Sequence, residues 1–236
     1  SLRRQRQMCI RDRIRQRAPN ILLQMLLRGS NGVGYTNYPD NVVKRFVAEA
    51  ARGGIDLFRV FDCLNWVENM RVSMDAVLEA DKLCEGAVCY TADLFDESRP
   101  TYSLKYYVDL ARELESAGAH ILGVKDMAGL LKPAAARALF RALKDEISIP
   151  IHFHTHDTSG IAAATVLAAI ESGVDAVDAA MDALSGNTSQ PCLGSIVAAL
   201  EGSERDPGLS QEAIRRISFY LSLIHISEPT RLGMIS

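Results

Sequence analysis

Three histidines alternate along residues 150–160 (PIHFHTHDTSG). If this stretch is a strand, His152, His154 and His156 share one face, because strand side chains alternate. Burying three unpaired imidazoles is costly, and a bound metal ion offsets that cost. His154 and His156 lie nearest the carboxyl end of the strand. We therefore predict that these two bind a metal and that His152 is structural; the competing interpretation is a set of satisfied core histidines.

Lys125 ends a predicted buried strand within residues 121–132 (ILGVKDMAGLLK). A buried ammonium is costly unless it is paired or modified. An ammonium has no lone pair to offer a metal, whereas a lysine that has added CO₂ carries a carboxylate. The residues alone leave two interpretations equal, namely a carbamate or an ordinary ion pair with Asp126 or Asp93.

Two loops add further polar groups. Arg28 ends another buried run and opens residues 28–41 (RGSNGVGYTNYPDN). A guanidinium there is suited to clamping a carboxylate substrate, and the alternative is an ion pair with a strand-end Asp. Residues 185–191 (SGNTSQP) are rich in hydroxyls. Thr188 could exchange a proton there, but the residues alone favour an ordinary loop between a strand and a helix, with a helix cap.

These residues follow short apolar runs that alternate with helical stretches. The runs cover residues 20–28, 55–62, 87–93, 120–126, 150–157 and 176–184, and the predicted helices cover 40–52, 67–83, 104–116, 133–146 and 161–171. Near-continuous apolar runs are typical of parallel strands buried on both faces. Strand–helix–strand alternation predicts β-α-β units.

Two α/β architectures fit six such units: a doubly wound sheet, or a (β/α)₈ TIM barrel that lacks two of its βα units. Nearly every run ends in charged or hydrogen-bonding residues, and a barrel brings all strand ends to one mouth. Neither a G-x-G-x-x-G nor a phosphate-loop motif occurs in the sequence, which removes the main support for a doubly wound nucleotide-binding fold. We therefore predict the barrel, with six strands present.

The composition predicts a sizeable core, because 48% of the 236 residues are hydrophobic and 23% are charged. Five cysteines occur without a C-x-x-C pair, which argues against a zinc knuckle. Free thiols in an α/β chain indicate a reducing compartment, so we expect a cytoplasmic protein. The apolar stretches are too short to span a bilayer, and we expect no membrane partner.

The two ends look unlike the rest. Residues 1–13 (SLRRQRQMCIRDR) and 221–236 (LSLIHISEPTRLGMIS) show no clear periodicity, so we expect both to be non-native flanks of a barrel spanning residues 14–220. The flanks hold six Arg and two acidic residues, which leaves 20 basic and 27 acidic residues and a net charge of −7. An acidic body without a basic stripe argues against a nucleic-acid partner.

Taken together, five stretches resemble one family, the carboxyltransferase domains of pyruvate carboxylases. They are QMLLRGSNGVGYTNYPDNVV, FRVFDCLNWVENM, GVKDMAGLLKP, PIHFHTHDTSG and SGNTSQP, in the family's order. The resemblance runs from about Arg15 to Tyr220. It implies a biotin-dependent enzyme that transfers a carboxyl group from carboxybiotin to pyruvate and forms oxaloacetate.

The resemblance also implies roles for six residues. His154 and His156 would bind Zn²⁺ or Mn²⁺, and Lys125 would join them as a carbamate. Arg28 would bind the carboxylate of pyruvate, and Tyr35 would line the pocket for biotin and substrate. The implied role of Thr188 is to carry the proton between biotin and pyruvate.

The sequence departs from the family in what it lacks. The first two βα units are absent, and with them an Asp in a D-A-H-Q motif that completes the metal's ligands. The biotin carboxylase and biotin-carrier domains, the expected partners in a homo-oligomeric full-length enzyme, are absent too. We therefore expect a gene fragment that is inactive alone. The alternatives are a relative of the oxaloacetate decarboxylase α-chain, another H-x-H metal-dependent lyase or acyltransferase barrel, and a non-catalytic barrel remnant.

Overall fold

The structure is a computed structural model that describes residues 12–227. Six strands form one sheet in the order β1-β2-β3-β4-β5-β6. They are β1 (Gln24–Leu27), β2 (Leu57–Phe61), β3 (Leu83–Cys89), β4 (Ile121–Asp126), β5 (Ile151–Thr155) and β6 (Ala176–Val177). The strand order never reverses, as it would at the switch point of a doubly wound sheet. The predicted α/β fold of the (β/α)-barrel type, with six parallel strands, is confirmed.

Seven helices accompany the strands between residues 40 and 227. They are α1 (Asp40–Arg52), α2 (Val67–Glu79), α3 (Leu104–Ser116), α4 (Pro133–Glu146), α5 (Ala162–Glu171), α6 (Leu193–Leu200) and α7 (Gln211–Ser227). The bounds of α1, α3 and α4 agree with the prediction. Ser103 starts α3 because its Oγ accepts the N–H of Tyr106 at 3.3 Å, which satisfies a donor of the first turn. Helices α6 and α7 were not predicted.

The third strand corrects the sequence prediction. It was expected at residues 87–93, but β3 begins at Leu83, inside the stretch that was predicted as the end of a helix. The helix α2 stops at Glu79 because Asp81 adopts a left-handed φ of +54°, a conformation that ends helices. No glycine marks this stop. Glu85, which is fully buried in β3, also interrupts the apolar run that would have revealed the strand.

The sixth strand is also shorter than predicted. It covers two residues instead of 176–184, and Asp182–Leu184 forms a 3₁₀ turn. The carboxylate of Asp182 accepts the backbone N–H of Gly194 at 2.8 Å, which holds this turn against the start of α6.

Contacts group the chain into two compact units. Among the described residues, the first unit comprises 12–89, 101–125 and 142–152, and the second comprises 90–100, 126–141 and 153–227. In the first, β1 to β4 pair in parallel register, for example Leu27 with Val60. Its buried core includes Leu27, Phe58, Met70, Met74, Tyr107 and Leu122. In the second, the rings of Phe140 and Phe153 pack edge to face at 5.0 Å. The single domain over residues 14–220 stays a prediction.

The chain ends need one correction. Residues 12–17 are helical, and Arg15 forms an ion pair with Asp56 and donates to the carbonyl of Gly54. Helix α7 continues to Ser227, so the expectation that residues 221–236 lack a helical pattern was wrong for 221–227. Residues 1–11 and 228–236 lie outside the described residues. Across the described range, no helix is both long and apolar enough to cross a membrane.

Candidate active site

His154 and His156 come together at the carboxyl end of β5. Their Nε2 atoms lie 3.0 Å apart, and the two rings meet edge to face with centroids 4.9 Å apart. Both side chains are partly buried in the second unit. The structure therefore brings the two imidazoles together. Each ring directs its Nε2 atom toward that of the other.

The other nitrogen of each ring is held by an oxygen. Nδ1 of His154 lies 2.6 Å from a carboxylate oxygen of Asp178, and Nδ1 of His156 lies 2.6 Å from the backbone carbonyl oxygen of Thr188. A carbonyl or carboxylate oxygen accepts, so Nδ1 must carry the proton in both rings. In the neutral rings each Nε2 then bears a lone pair.

This arrangement fits a metal ion. Two lone pairs at 3.0 Å repel unless a cation lies between them. Two imidazoles that share one Zn²⁺ at about 2.1 Å place their nitrogens roughly 3.0 to 3.4 Å apart, which matches the observed separation. Metal-bound histidines also tend to donate their other N–H to a carboxylate or carbonyl, as both rings do here. Within residues 12–227, however, no group of three or more His, Cys, Asp or Glu side chains is arranged to hold a metal.

In the loop after β6, two residues with positive φ precede Thr188, whose backbone carbonyl contacts His156. Gly186 and Asn187 both adopt positive φ, +83° and +52°, which is ordinary for Gly and tolerated by Asn. The loop closes on itself where Gly186 donates to the carbonyl of Gln190 at 3.0 Å. It is joined to the end of β5 because the N–H of Asp157 donates to the carbonyl of Ser189 at 2.8 Å. The loop therefore orients a histidine with its backbone.

The loop after β4 packs closely against the backbone of His156. Gly129 has φ +64°, and a Cβ there would lie 2.6 Å from the carbonyl oxygen of His156. Ser159 donates to the carbonyl of Gly129 at 2.7 Å. Asp126 accepts the N–H groups of Leu130 and Leu131, both at 2.9 Å. The carboxylate of Asp126 thus fixes the loop by accepting two backbone hydrogen bonds.

His152 takes the structural role that its depth in the strand predicted. It is buried in the first unit, with Nδ1 3.0 Å from Glu85 Oε2 and 3.0 Å from Arg59 Nη2. Arg59 and Glu85 are themselves an ion pair that is almost fully buried. We call Arg59, Glu85 and His152 the buried ionic cluster.

Lys125 lies in the first unit and is 3% exposed. Its ammonium nitrogen stands 4.9 Å from the ring centroid of Phe61, a cation–π distance. The two carboxylates named as alternative partners have their own bonds: Asp93 pairs with Lys132, and Asp126 accepts from the loop that follows it. Lys132 holds the pKa of Asp93 below its usual range through their hydrogen bond.

The structure brings Arg28 and Tyr35 together. The guanidinium carbon lies 4.7 Å above the ring centroid of Tyr35, and Tyr35 itself is 86% exposed. Arg28 also stands 6.0 Å from the ring of Phe61. The turn that follows is fixed, because Gly29 has φ +42° and a Cβ there would lie 2.7 Å from the backbone oxygen of Asn69.

Sequence reasoning missed two residues of these arrangements. Phe61 carries two cations, Arg28 and Lys125, on its ring, and only its place beside a strand-end Asp could have suggested this. Asp178 contacts His154, and the available signal was an Asp inside the sixth apolar run, at its third residue. Asp62, the carboxylate that directly follows Phe61, has partners of its own. It accepts from Asn69 at 2.8 Å and from the N–H of Leu64 at 2.8 Å, so it serves a turn.

Comparisons with known proteins point the same way. The HMGL-like family matches residues 46–220. Pyruvate carboxylase of Bacillus subtilis (strain 168) is 53% identical over 207 residues, which is 88% of this chain and 18% of that protein. Mitochondrial pyruvate carboxylase of Homo sapiens is 50% identical over 208 residues, with the same two shares. The chain thus spans less than a fifth of the length of these curated relatives.

Solved structures are more similar still. The carboxyl transferase domain from Rhizobium etli pyruvate carboxylase, in its structure with pyruvate, is 76% identical and superposes with a TM-score of 0.89. The match covers 90% of this chain and 36% of that one. The same domain with pyruvate and biocytin gives the same values.

Proposed function

We propose, on the premise that this chain belongs to the HMGL-like family, that it carries the metal-binding and substrate-facing part of a biotin-dependent carboxyltransferase. The reaction is transfer of a carboxyl group from carboxybiotin to pyruvate, which gives oxaloacetate. The observation that carries the proposal is the pair of Nε2 atoms 3.0 Å apart, each on a ring whose Nδ1 is anchored. The similarity to carboxyl transferase domains with bound pyruvate supports the choice of substrate.

His154 and His156 are the residues that would hold the metal, Zn²⁺ or Mn²⁺, since both ions accept imidazole nitrogens. When bound, the metal supplies a Lewis acid that polarises an oxygen of the substrate. We propose that Lys125 adds CO₂ through its neutral amine. A nitrogen–carbon bond forms and one proton is released, and the resulting carboxylate would be available to hold the metal together with the two imidazoles.

Arg28 binds the carboxylate of pyruvate through paired hydrogen bonds, a geometry that its planar guanidinium matches. The ring of Tyr35, 4.7 Å from that guanidinium, holds it in place and lines the pocket for biotin. During transfer the nitrogen–carboxyl bond of carboxybiotin breaks and CO₂ is released. The methyl group of pyruvate loses a proton, its carbon bonds to CO₂, and the proton moves to the biotin nitrogen. We assign the relay of that proton to the hydroxyl of Thr188.

The whole enzyme would supply the partners of this chain. They are a biotinylated carrier domain and a biotin carboxylase domain, assembled as a homo-oligomer in the cytoplasm. Four described cysteines, Cys63, Cys84, Cys89 and Cys192, are not in disulfide bonds, which suits a reducing compartment.

Substrate recognition is tested by calorimetric titration of the zinc-loaded chain with pyruvate. We expect Arg28→Ala to weaken binding roughly 10- to 100-fold, because a charge-assisted bond pair is lost, and Arg28→Lys to recover part of it. Arg45→Ala is the matched control, since Arg45 is a surface arginine paired with Glu49. Equal affinities for Arg28→Ala and the unmodified chain would overturn the assignment.

Turnover and modification are tested separately. With carboxybiotin and pyruvate supplied, we expect the chain alone to form no oxaloacetate above background, because only two imidazoles converge among the described residues. Turnover at the rate of a complete enzyme would contradict that. Incubation with ¹³C-bicarbonate followed by ¹³C NMR should show one carbamate signal, which Lys125→Arg removes; a signal that survives this substitution would exclude Lys125.

A further inference from the structure

We infer that Asp178 is a positioning residue, which acts on the candidate metal centre through His154. The inference rests on the proposed function, because it concerns how tightly the two imidazoles hold their metal. Asp178 follows directly after β6, and nothing in the chemistry of the substrate requires a carboxylate at that place. Its contact with His154 Nδ1, at 2.6 Å, is among the shortest side-chain contacts of the second unit.

A backbone hydrogen bond ties Asp178 to the strand that carries His154. The N–H of Asp178 donates to the carbonyl of Phe153 at 3.0 Å, and Phe153 directly precedes His154 in β5. Pairing of β6 with β5 therefore brings the carboxylate beside the imidazole. Both side chains are shielded, with 14% of the His154 side chain and 28% of the Asp178 side chain exposed. A fixed, partly dry carboxylate holds the ring more strongly than a solvated one.

The two imidazoles are anchored by oxygens of different charge. His154 donates to a carboxylate, whereas His156 donates to the neutral carbonyl of Thr188. A carboxylate on Nδ1 makes Nε2 the more basic ligand, and loss of such a partner commonly costs 10- to 100-fold in metal affinity. His154 is therefore the stronger ligand of the pair, and it owes this to Asp178. A substitution of Thr188 leaves the backbone carbonyl in place.

The measurement is the Zn²⁺ affinity of the full 236-residue chain, obtained by competition with a chromophoric chelator. Asp178→Ala removes both the charge and the hydrogen bond, so we expect about 10- to 100-fold weaker binding. Asp178→Asn keeps an oxygen that can accept the N–H, and should recover part of the loss. Asp175→Asn removes the same charge from an exposed carboxylate three residues earlier and should leave the affinity unchanged.

Two further readouts separate positioning from a general structural role. The metal-free variants should unfold within a few degrees of the unmodified chain. Their Co²⁺ forms should differ from it in the visible absorption bands that report ligand geometry. An affinity for Asp178→Ala equal to that of the unmodified chain would overturn the inference and leave the metal centre standing. Failure of the unmodified chain to bind Zn²⁺ would overturn the proposed function and the inference together.

Discussion

Strand β5 carries the same residue type at its two ends, with opposite outcomes. His152 lies at the deep end, where both of its ring nitrogens face the guanidinium of Arg59 and one faces Glu85. All three members of this buried ionic cluster are at most 9% exposed. The charges are matched inside the protein, so both ring nitrogens of His152 are occupied and neither remains for a ligand from outside.

At the carboxyl end of the strand, protein oxygens bond to one nitrogen of each imidazole, the Nδ1 atom. Asp178 and the carbonyl of Thr188 take the Nδ1 protons of His154 and His156, and the two Nε2 atoms turn toward each other at 3.0 Å. The difference teaches that an alternating row of histidines does not mark a site by itself. A histidine can bind a ligand from outside only if one of its ring nitrogens is not already bonded to a neighbouring protein group.

The largest expected effect lies in the buried ionic cluster. Glu85→Ala leaves the guanidinium of Arg59 buried without its carboxylate, and breaking a buried pair in this way costs about 3–5 kcal/mol of folding stability. Urea unfolding of the metal-free chain measures it. His154→Ala is the control from the other end of the strand, and we expect it to cost less than about 1 kcal/mol. Equal losses in the two variants would erase the distinction between the two ends.

A smaller effect should follow from crowding the same cluster without removing a charge. A Cβ on Gly123 would lie 2.5 Å from Glu85 Oε1 and 2.8 Å from the Cβ of Ala87. We expect Gly123→Ala to cost about 1–3 kcal/mol, as overpacking of a core does. In the double variant with Glu85→Ala the losses should add to less than their sum, since the clash is partly relieved. Full additivity would show that the two positions do not interact.

A separate effect depends on pH and tests whether water is excluded from the two buried thiols of the first unit. Burial raises the pKa of the Cys84 thiol to about 12, with Glu85 beside it, and burial raises that of Cys89 to about 11. In the unfolded chain both thiols lose their protons near 9.0. The unfolded state therefore binds fewer protons above that pH, and stability should fall from pH 9 to about 11 for Cys89 and to about 12 for Cys84.

Urea unfolding at a series of alkaline pH values measures this loss. Cys84→Ala and Cys89→Ala should each flatten the decline, whereas Cys63→Ala, at an exposed thiol, should not. A decline that stays unchanged in both buried variants would show that other groups cause it.

Much of this fold could be predicted because its signals are local. Helix α1 ends at a Gly-Gly pair, α3 begins at a capping serine, and Pro133 starts α4. The third strand could not, because the chain leaves α2 at Asp81 in a left-handed conformation without a glycine to mark it. Glu85 hid the strand further, since its burial depends on Arg59, which is distant in sequence.

The candidate site likewise has a part that the sequence predicts and a part that it does not. The spacing of His154 and His156 places them on one strand face, so their convergence could be predicted from alternation alone. The role of Asp178 depends on the pairing of β6 with β5, and the role of the Thr188 carbonyl depends on two positive φ angles in a loop. Neither is visible in residue types, because a carboxylate after a strand and a polar loop have many ordinary explanations.

The central claim is that His154 and His156 bind one divalent metal ion, and a zinc titration of the metal-free chain tests it most directly. We expect one Zn²⁺ per chain, and at least about 100-fold weaker binding in His154→Ala and in His156→Ala, because a lost ligand costs more than a lost partner of a ligand. Stoichiometric zinc binding that persists at full affinity in the double variant, or no zinc binding by the unmodified chain, would contradict the account.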